Sequence, residues 1–211
     1  RMIEFEWHGQ AVRLLPDRAL LLPESATLVI ADWHLGKSHV FRQHGISIPR
    51  GSTAGDLDRI DRLLAHTHAR ELAVLGDLLH GPVADDAPWL ARWRDWRRAR
   101  GALRIRVAAG NHDRQVDSLA ADLDECAATI ALGRLIGVHE PGKSSGPEIA
   151  GHIHPYRKLR APGISERVPV FYLRERTLVL PAFGRFTGGE TIRPAPGERT
   201  FAALPDSVVA L

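Results

Sequence analysis

Asp32-Trp33-His34, Gly76-Asp77-Leu78-Leu79-His80, Gly110-Asn111-His112-Asp113, a lone His139 and Gly151-His152-Ile153-His154 follow one another along a chain of 211 residues. They offer carboxylates, imidazoles and one amide oxygen, a donor set that suits divalent transition metals without thiolates. Two such cations about 3.5–4 Å apart clamp the oxygens of a phosphoester and acidify a water between them. Taken together, the five clusters therefore read as a two-metal centre for phosphoester hydrolysis. Singly they say little, since Asp-x-His is ordinarily a turn and Gly-Asp a common strand end. Gly-Asn-His-Asp is more telling, because a glycine turn followed by three consecutive ligand-capable residues has little reason to end a buried strand.

Residues more than a hundred positions apart have to be gathered at one place. Short apolar β-type runs precede every cluster, at 27–31, 72–75, 105–109, 135–138 and 148–150. The clusters thus sit at the carboxyl ends of predicted strands, and loops leaving that edge of a sheet converge on a crevice. A helix is expected over 53–68, with Leu57, Ile60, Leu63 and Leu64 as its apolar stripe and Thr53 with Asp56 resembling a capping box. Asp58, Arg59, Asp61 and Arg62 fall on its other faces and read as solvated. A second helix is expected over 87–99, and strands at 168–173, 177–180, 201–204 and 208–211. Residues 141–147 and 161–166 read as surface loops. The expected fold class is α/β (α+β), two sheets with helices outside, in a single domain over 1–211 with no linker or internal repeat.

Composition supports a chain able to bury a core, with 44% hydrophobic and 25% charged residues. The single cysteine, Cys126, excludes an internal disulfide and reads as a small buried side chain. Residues 2–23 lack the apolar run of a signal peptide or membrane helix, so a cytoplasmic location without a membrane partner is expected. Twenty-eight Lys and Arg against 25 Asp and Glu leave only +3. Once the acidic ligands are neutralised by dications, the surrounding arginines dominate the mouth and favour an anionic substrate.

At this point the chain resembles the calcineurin-like metallophosphoesterase superfamily, whose fold is a β-sandwich flanked by helices. The resemblance implies that Asp32, His34 and His154 hold one metal, Asn111, His139 and His152 the other, and that Asp77 bridges them. It also implies that His112 binds no metal but faces the scissile phosphate, orienting it and protonating the leaving oxygen. Nitrogen and oxygen ligands together admit manganese, iron, zinc, cobalt or nickel, and the resemblance favours two manganese ions.

Asp32-Trp33-His34-Leu35-Gly36-Lys37, His139-Glu140-Pro141 and the stretch from Leu180 through Phe183-Gly184-Arg185-Phe186-Thr187-Gly188-Gly189 extend the match over almost the whole chain. They resemble the bacterial ligase-associated DNA damage response endonucleases, which implies a phosphodiesterase cutting single-stranded DNA, functionally associated with a DNA ligase and a helicase. From the residues alone, His80, Lys37, Arg50, Arg157, Lys158 and Arg185 are the candidates for substrate phosphate, with a hydrogen bond to a metal ligand equally open to His80. Trp89, Trp93 and Trp96, flanked by Arg92, Arg94, Arg97, Arg98 and Arg100, could stack bases, but their spacing is better read as a core-facing stripe. His8, His39, His44, His66 and His68 read as ordinary histidines. The alternatives are an enzyme for a small nucleotide, cyclic nucleotide or pyrophosphate substrate, and a non-catalytic scaffold, which would have eroded ligands.

Overall fold

A computed structural model describes residues 1–45, 52–80, 87–113, 119, 122–161, 164–185 and 187–211. The first sheet begins as an antiparallel meander, β1 (Ile3–Trp7), β2 (Gln10–Leu15), β3 (Ala19–Leu22) and β4 (Thr27–Ala31). It continues in parallel through β5 (Glu71–Leu75), β6 (Arg104–Ala108) and β7 (Glu125–Ala127). The helices of this half are α1 (Lys37–Gln43), α2 (Ser52–Thr67) and α3 (Pro88–Arg98). The second sheet holds β8 (Thr129–Leu132), β9 (Leu135–Val138), β10 (Glu148–Ala150), β12 (Ile164–Leu173), β13 (Thr177–Val179), β14 (Arg199–Ala203) and β15 (Val208–Ala210), with β11 (Tyr156–Ala161) paired to β12. Its β9, β10 and β13 run parallel.

The two-residue period of a strand sorts the central side chains into two layers. Leu28, Ile30, Leu72, Val74, Ile105 and Val107 face α2 and α3, where they meet Leu57, Ile60, Leu63, Trp89, Trp93 and Trp96. The intervening Val29, Ala31, Ala73, Leu75 and Ala108 face the second sheet and pack with Ile130, Ile149, Phe171, Leu178 and Phe201. Strands buried on both faces read as continuous apolar runs, which is how 27–31 and 72–75 appear in the sequence. The three tryptophans are buried, with Trp93 Nε1 donating to Asp122 and Trp96 Nε1 to Asp61. They belong to the core and stack no bases.

Several expectations are corrected. Arg59 is not solvated: it is buried, donates to Asp56 Oδ1 at 3.0 Å, Phe183 O at 2.9 Å and Asp17 O at 2.9 Å, and lies 3.9 Å over the Phe183 ring. Asp56, which a capping box would turn to the start of α2, is spent on Arg59. Asp61 is likewise engaged, by Trp96 and Arg100. Cys126 is exposed on β7, an edge strand, and not buried. Residues 161–166 are not all loop, since Ser165 and Glu166 pair with Arg160 and Leu159. Arg59→Leu strands a buried carboxylate and is expected to cost about 3–5 kcal/mol, read as a lower midpoint in urea denaturation.

Candidate metal centre

All five clusters emerge at one edge of the sandwich, three from the first sheet after β4, β5 and β6 and two from the second after β9 and β10. The loops are then zippered to one another. Asp32 N–H donates to Gly76 O at 3.2 Å, His34 N–H to Asp77 O at 2.8 Å, Leu35 N–H to Leu78 O at 2.8 Å and His80 N–H to Leu35 O at 3.0 Å. Across the second sheet, Gly151 N–H donates to His139 O at 2.9 Å. This tight turning puts Asp32, His34, Asp77, His152 and His154 at φ of 51°, 55°, 45°, 74° and 46°. Left-handed backbone costs a non-glycine residue about 1–3 kcal/mol and persists only where its surroundings impose it.

Each carboxylate is fixed by a backbone donor from another loop. Asp32 Oδ2 accepts His152 N–H at 2.9 Å and Asp77 Oδ1 accepts His112 N–H at 3.0 Å. Asp32 Oδ1 then lies 3.4 Å from His154 Nε2 and 3.6 Å from His139 Nδ1. Asp77 presents Oδ2 at 4.0 Å from His34 Nε2 and Oδ1 at 3.6 Å from His139 Nε2, so its two oxygens face different histidines. Ligand atoms of Asp32, His34 and His154 lie within 4.8 Å of one another, as do those of Asp32, Asp77 and His139. His152 Nδ1 sits 3.0 Å from His139 Nε2.

Carbonyls set the tautomers, because they accept only. Gly188 O, 2.8 Å from His154 Nδ1, leaves the lone pair on Nε2, and Leu75 O, 3.3 Å from His139 Nδ1, does the same for His139. Asp32 Oδ1, His34 Nε2 and His154 Nε2 are nonetheless buried without a hydrogen-bond partner. An unmet buried polar atom costs about 1–3 kcal/mol. Burial, with Lys37 beside it, drives the His34 imidazole down to about 2 and keeps it neutral. Burial opposes charge on His154 too, but the Asp32 carboxylate 3.4 Å from its Nε2 outweighs that and raises it. Imidazole nitrogens and a carboxylate oxygen buried without hydrogen-bond partners and aimed at a shared point are what a divalent cation would satisfy, and the residues fit one.

Three glycines make room for this arrangement. A Cβ on Gly76 would stand 2.1 Å from His139 Nδ1, on Gly110 2.4 Å from Asp77 N and Oδ1, and on Gly151 2.5 Å from Asp32 Oδ2. Asp113, quoted in its motif but given no role from sequence, proves to be the clasp between two loops. It is buried, its Oδ2 accepts Gly110 N–H at 2.8 Å, and its Oδ1 accepts Leu79 N–H at 3.0 Å. Burial raises its carboxyl above the usual range in spite of these bonds.

Asn111 and His112 are exposed at the lip, with His112 Nε2 3.9 Å from Asp77 Oδ2. Among the described residues, no hydrogen bond ties the Asn111 side chain to the cluster. The His80 ring centroid lies 5.3 Å from that of His34 and 5.6 Å from that of His112, and burial with Lys37 nearby holds it down at about 4. Lys37 is itself lowered by burial, against the pull of Asp77 and Asp32. It lines a cleft with His34 and Arg185, and Arg185 is exposed. Arg157 Nη1 donates to Thr200 Oγ1 at 3.0 Å, and Lys158 is exposed. Arg50 and Phe186 lie outside the described residues.

A cation that binds only the folded chain stabilises it by mass action, about 2.7 kcal/mol at a hundredfold excess over Kd. For a domain of this size that is a rise in Tm of roughly 5–10 °C. Thermal melts of chelator-treated protein with and without divalent metal check it, and an unmoved midpoint in every metal would contradict it.

The model for calcineurin-like phosphoesterases matches residues 26–136. Among solved structures, nuclease MPE of Pseudomonas putida is similar at 36% identity and a TM-score of 0.85, over 100% of both chains. YfcE, a phosphoesterase from E. coli, matches at 19% identity and a TM-score of 0.47, over 87% of this chain and 96% of its own. The protein AQ665 from Aquifex aeolicus matches at 21% and 0.43, over 61% and 78%. No curated protein matches, and no helix among the described residues is long and apolar enough to cross a membrane. Matched by the phosphoesterase model across more than half its length and by a nuclease across all of it, this chain is a metal-dependent phosphoester hydrolase and belongs to the calcineurin-like phosphoesterase family.

Proposed function

We propose that the chain is a manganese-dependent phosphodiesterase that cuts single-stranded DNA internally, in DNA repair alongside a DNA ligase and a helicase. The observation that carries this reading is the likeness, along both entire chains, to a protein described as a nuclease. Two bound divalent cations supply polarisation of the phosphate oxygens and acidification of water. Asp32, His34 and His154 would hold one ion and His139, His152 and Asn111 the other. Asp77 suits the shared position because its two oxygens already face His34 and His139.

The remaining roles follow from exposure. His112 stands half-exposed beside Asp77, where its side chain meets a phosphodiester entering from solvent and holds a proton for the leaving oxygen. His80 and Lys37 flank the same opening from the first sheet, Lys37 as a cation for the non-bridging oxygens. An internal cut needs a site open at both ends to a passing strand, and a half-exposed His112 with exposed Arg185 and Lys158 suits such a site.

Circular single-stranded DNA incubated with the purified chain and each divalent metal in turn tests the reading. Linear fragments in manganese establish internal cutting. A circle that survives every metal while bis-p-nitrophenyl phosphate is hydrolysed would sink the DNA assignment and leave a small-substrate phosphodiesterase. Failure to hydrolyse either would favour the scaffold.

A further inference from the structure

The hairpin of β11 and β12 leaves the metal centre directly, because β11 begins two residues after His154. Its alternate residues face opposite ways. Leu159 and Val168 pack with Val170, Ala202 and Leu204, and Arg157, on that same face, is tied to Thr200. The other face carries Tyr156, Lys158 and Arg167, with Lys158 directly opposite Arg167 in the register. Glu166 pairs with Leu159 and so belongs to the inner face.

Like charges directly opposite across an antiparallel pair lie with Cβ atoms about 4.5–5.5 Å apart and destabilise it. Lys158 and Arg167 are both exposed, and among the described residues neither has a carboxylate within 4.0 Å. Arg167 is also held in place. Its Nη2 donates to Gly189 O at 2.8 Å and its guanidinium lies 4.8 Å over the Tyr156 ring, while Tyr156 OH donates to Thr187 O at 3.4 Å. One Nη2 hydrogen is spent on Gly189, which leaves the other guanidinium donors for a ligand. The segment 187–189 that braces Arg167 is the one whose Gly188 O orients His154. A preset guanidinium opposite an ammonium that has no carboxylate partner among the described residues, on a ribbon running from a metal ligand, is built for phosphates in series.

We propose that the Lys158/Arg167 face of this hairpin binds the backbone of a single-stranded polynucleotide flanking the scissile phosphate. At about 3.3 Å per strand residue, Lys158 lies about 13 Å along the chain from His154, within reach of the next few nucleotides. The inference rests on the polynucleotide reading above and adds a surface that a dinucleotide or small diester cannot span.

The test compares kcat/KM for an oligothymidylate of about twenty nucleotides with that for a dinucleotide, in the wild-type chain, Lys158→Ala, Lys158→Glu and Lys158→Arg. Wild type is expected to prefer the long substrate. Lys158→Ala should lower that preference several-fold and flatten the slope of log kcat/KM against log salt by about 0.7, the share of one phosphate contact on a single strand. Lys158→Glu should lower it about tenfold, and Lys158→Arg should keep it. Preference and salt slope unchanged in Lys158→Ala and Lys158→Glu would overturn the inference while leaving the nuclease reading intact. So would Lys158→Arg losing the preference with its Tm unchanged, since the charge would then be irrelevant. Wild type that hydrolyses bis-p-nitrophenyl phosphate but no oligonucleotide of either length would refute the nuclease reading and this surface with it.

Discussion

Replacing Gly76 with alanine is expected to lower phosphodiester turnover about a hundredfold or more. At φ of 70° the residue sits where side chains are strained, and its Cβ would stand 2.1 Å from His139 Nδ1 and 2.3 Å from His139 Cγ. His139 cannot step aside, because it is buried between Asp32, Asp77 and the Leu75 carbonyl. Either the ring or the Gly76-Asp77 turn must shift by about an ångström, and a misplacement of that size can cost 10²-fold in rate. Gly142→Ala is the control: its φ is 85° with nothing within 4 Å of the added Cβ, so it carries the strain without the collision. Steady-state kinetics on bis-p-nitrophenyl phosphate read the difference, and Gly76→Ala within twofold of wild type would refute the cradle.

Asp77→Ala is expected to cost more, about 10³-fold or beyond. The change removes a carboxylate whose two oxygens face His34 and His139 separately, and with it the oxygen that holds the His112 backbone N–H. Charge stabilisation by bound metal amounts to several kcal/mol, and each 1.36 kcal/mol is tenfold in rate. Stability should move the other way in metal-free protein, since one of two neighbouring buried carboxylates is removed. A metal-free melt of the variant at or above that of wild type, together with lost turnover, separates loss of the centre from misfolding.

The catalytic edge was legible because it rests on local rules. Apolar runs at 27–31, 72–75, 135–138 and 148–150 are strands with those bounds or within one residue, and each delivers a polar cluster to the same edge. The helices at 53–68 and 87–99 shift by a residue at each end. What was missed depends on contacts between distant segments. Nothing in the helical periodicity of α2 distinguishes Arg59 from Arg62; Phe183, more than a hundred residues away, decides that Arg59 is buried. The roles of Gly76, Gly110 and Gly151 as hollows for ligands of other loops, and of Gly188 as a carbonyl for His154, exist only once the sandwich has closed. The N-terminal meander is a different case. Ile3, Phe5 and Trp7 alternate with Glu4 and Glu6, a period-2 signal of a half-buried strand that was there to be read.

Titrating chelator-treated protein with manganese by calorimetry, while following hydrolysis of bis-p-nitrophenyl phosphate across the same titration, tests the dinuclear centre most directly. The expected result is two ions per chain, turnover that appears only as the second is taken up, and loss of both in Asp77→Ala. Turnover without added metal, or the same two ions bound by Asp77→Ala, would contradict it.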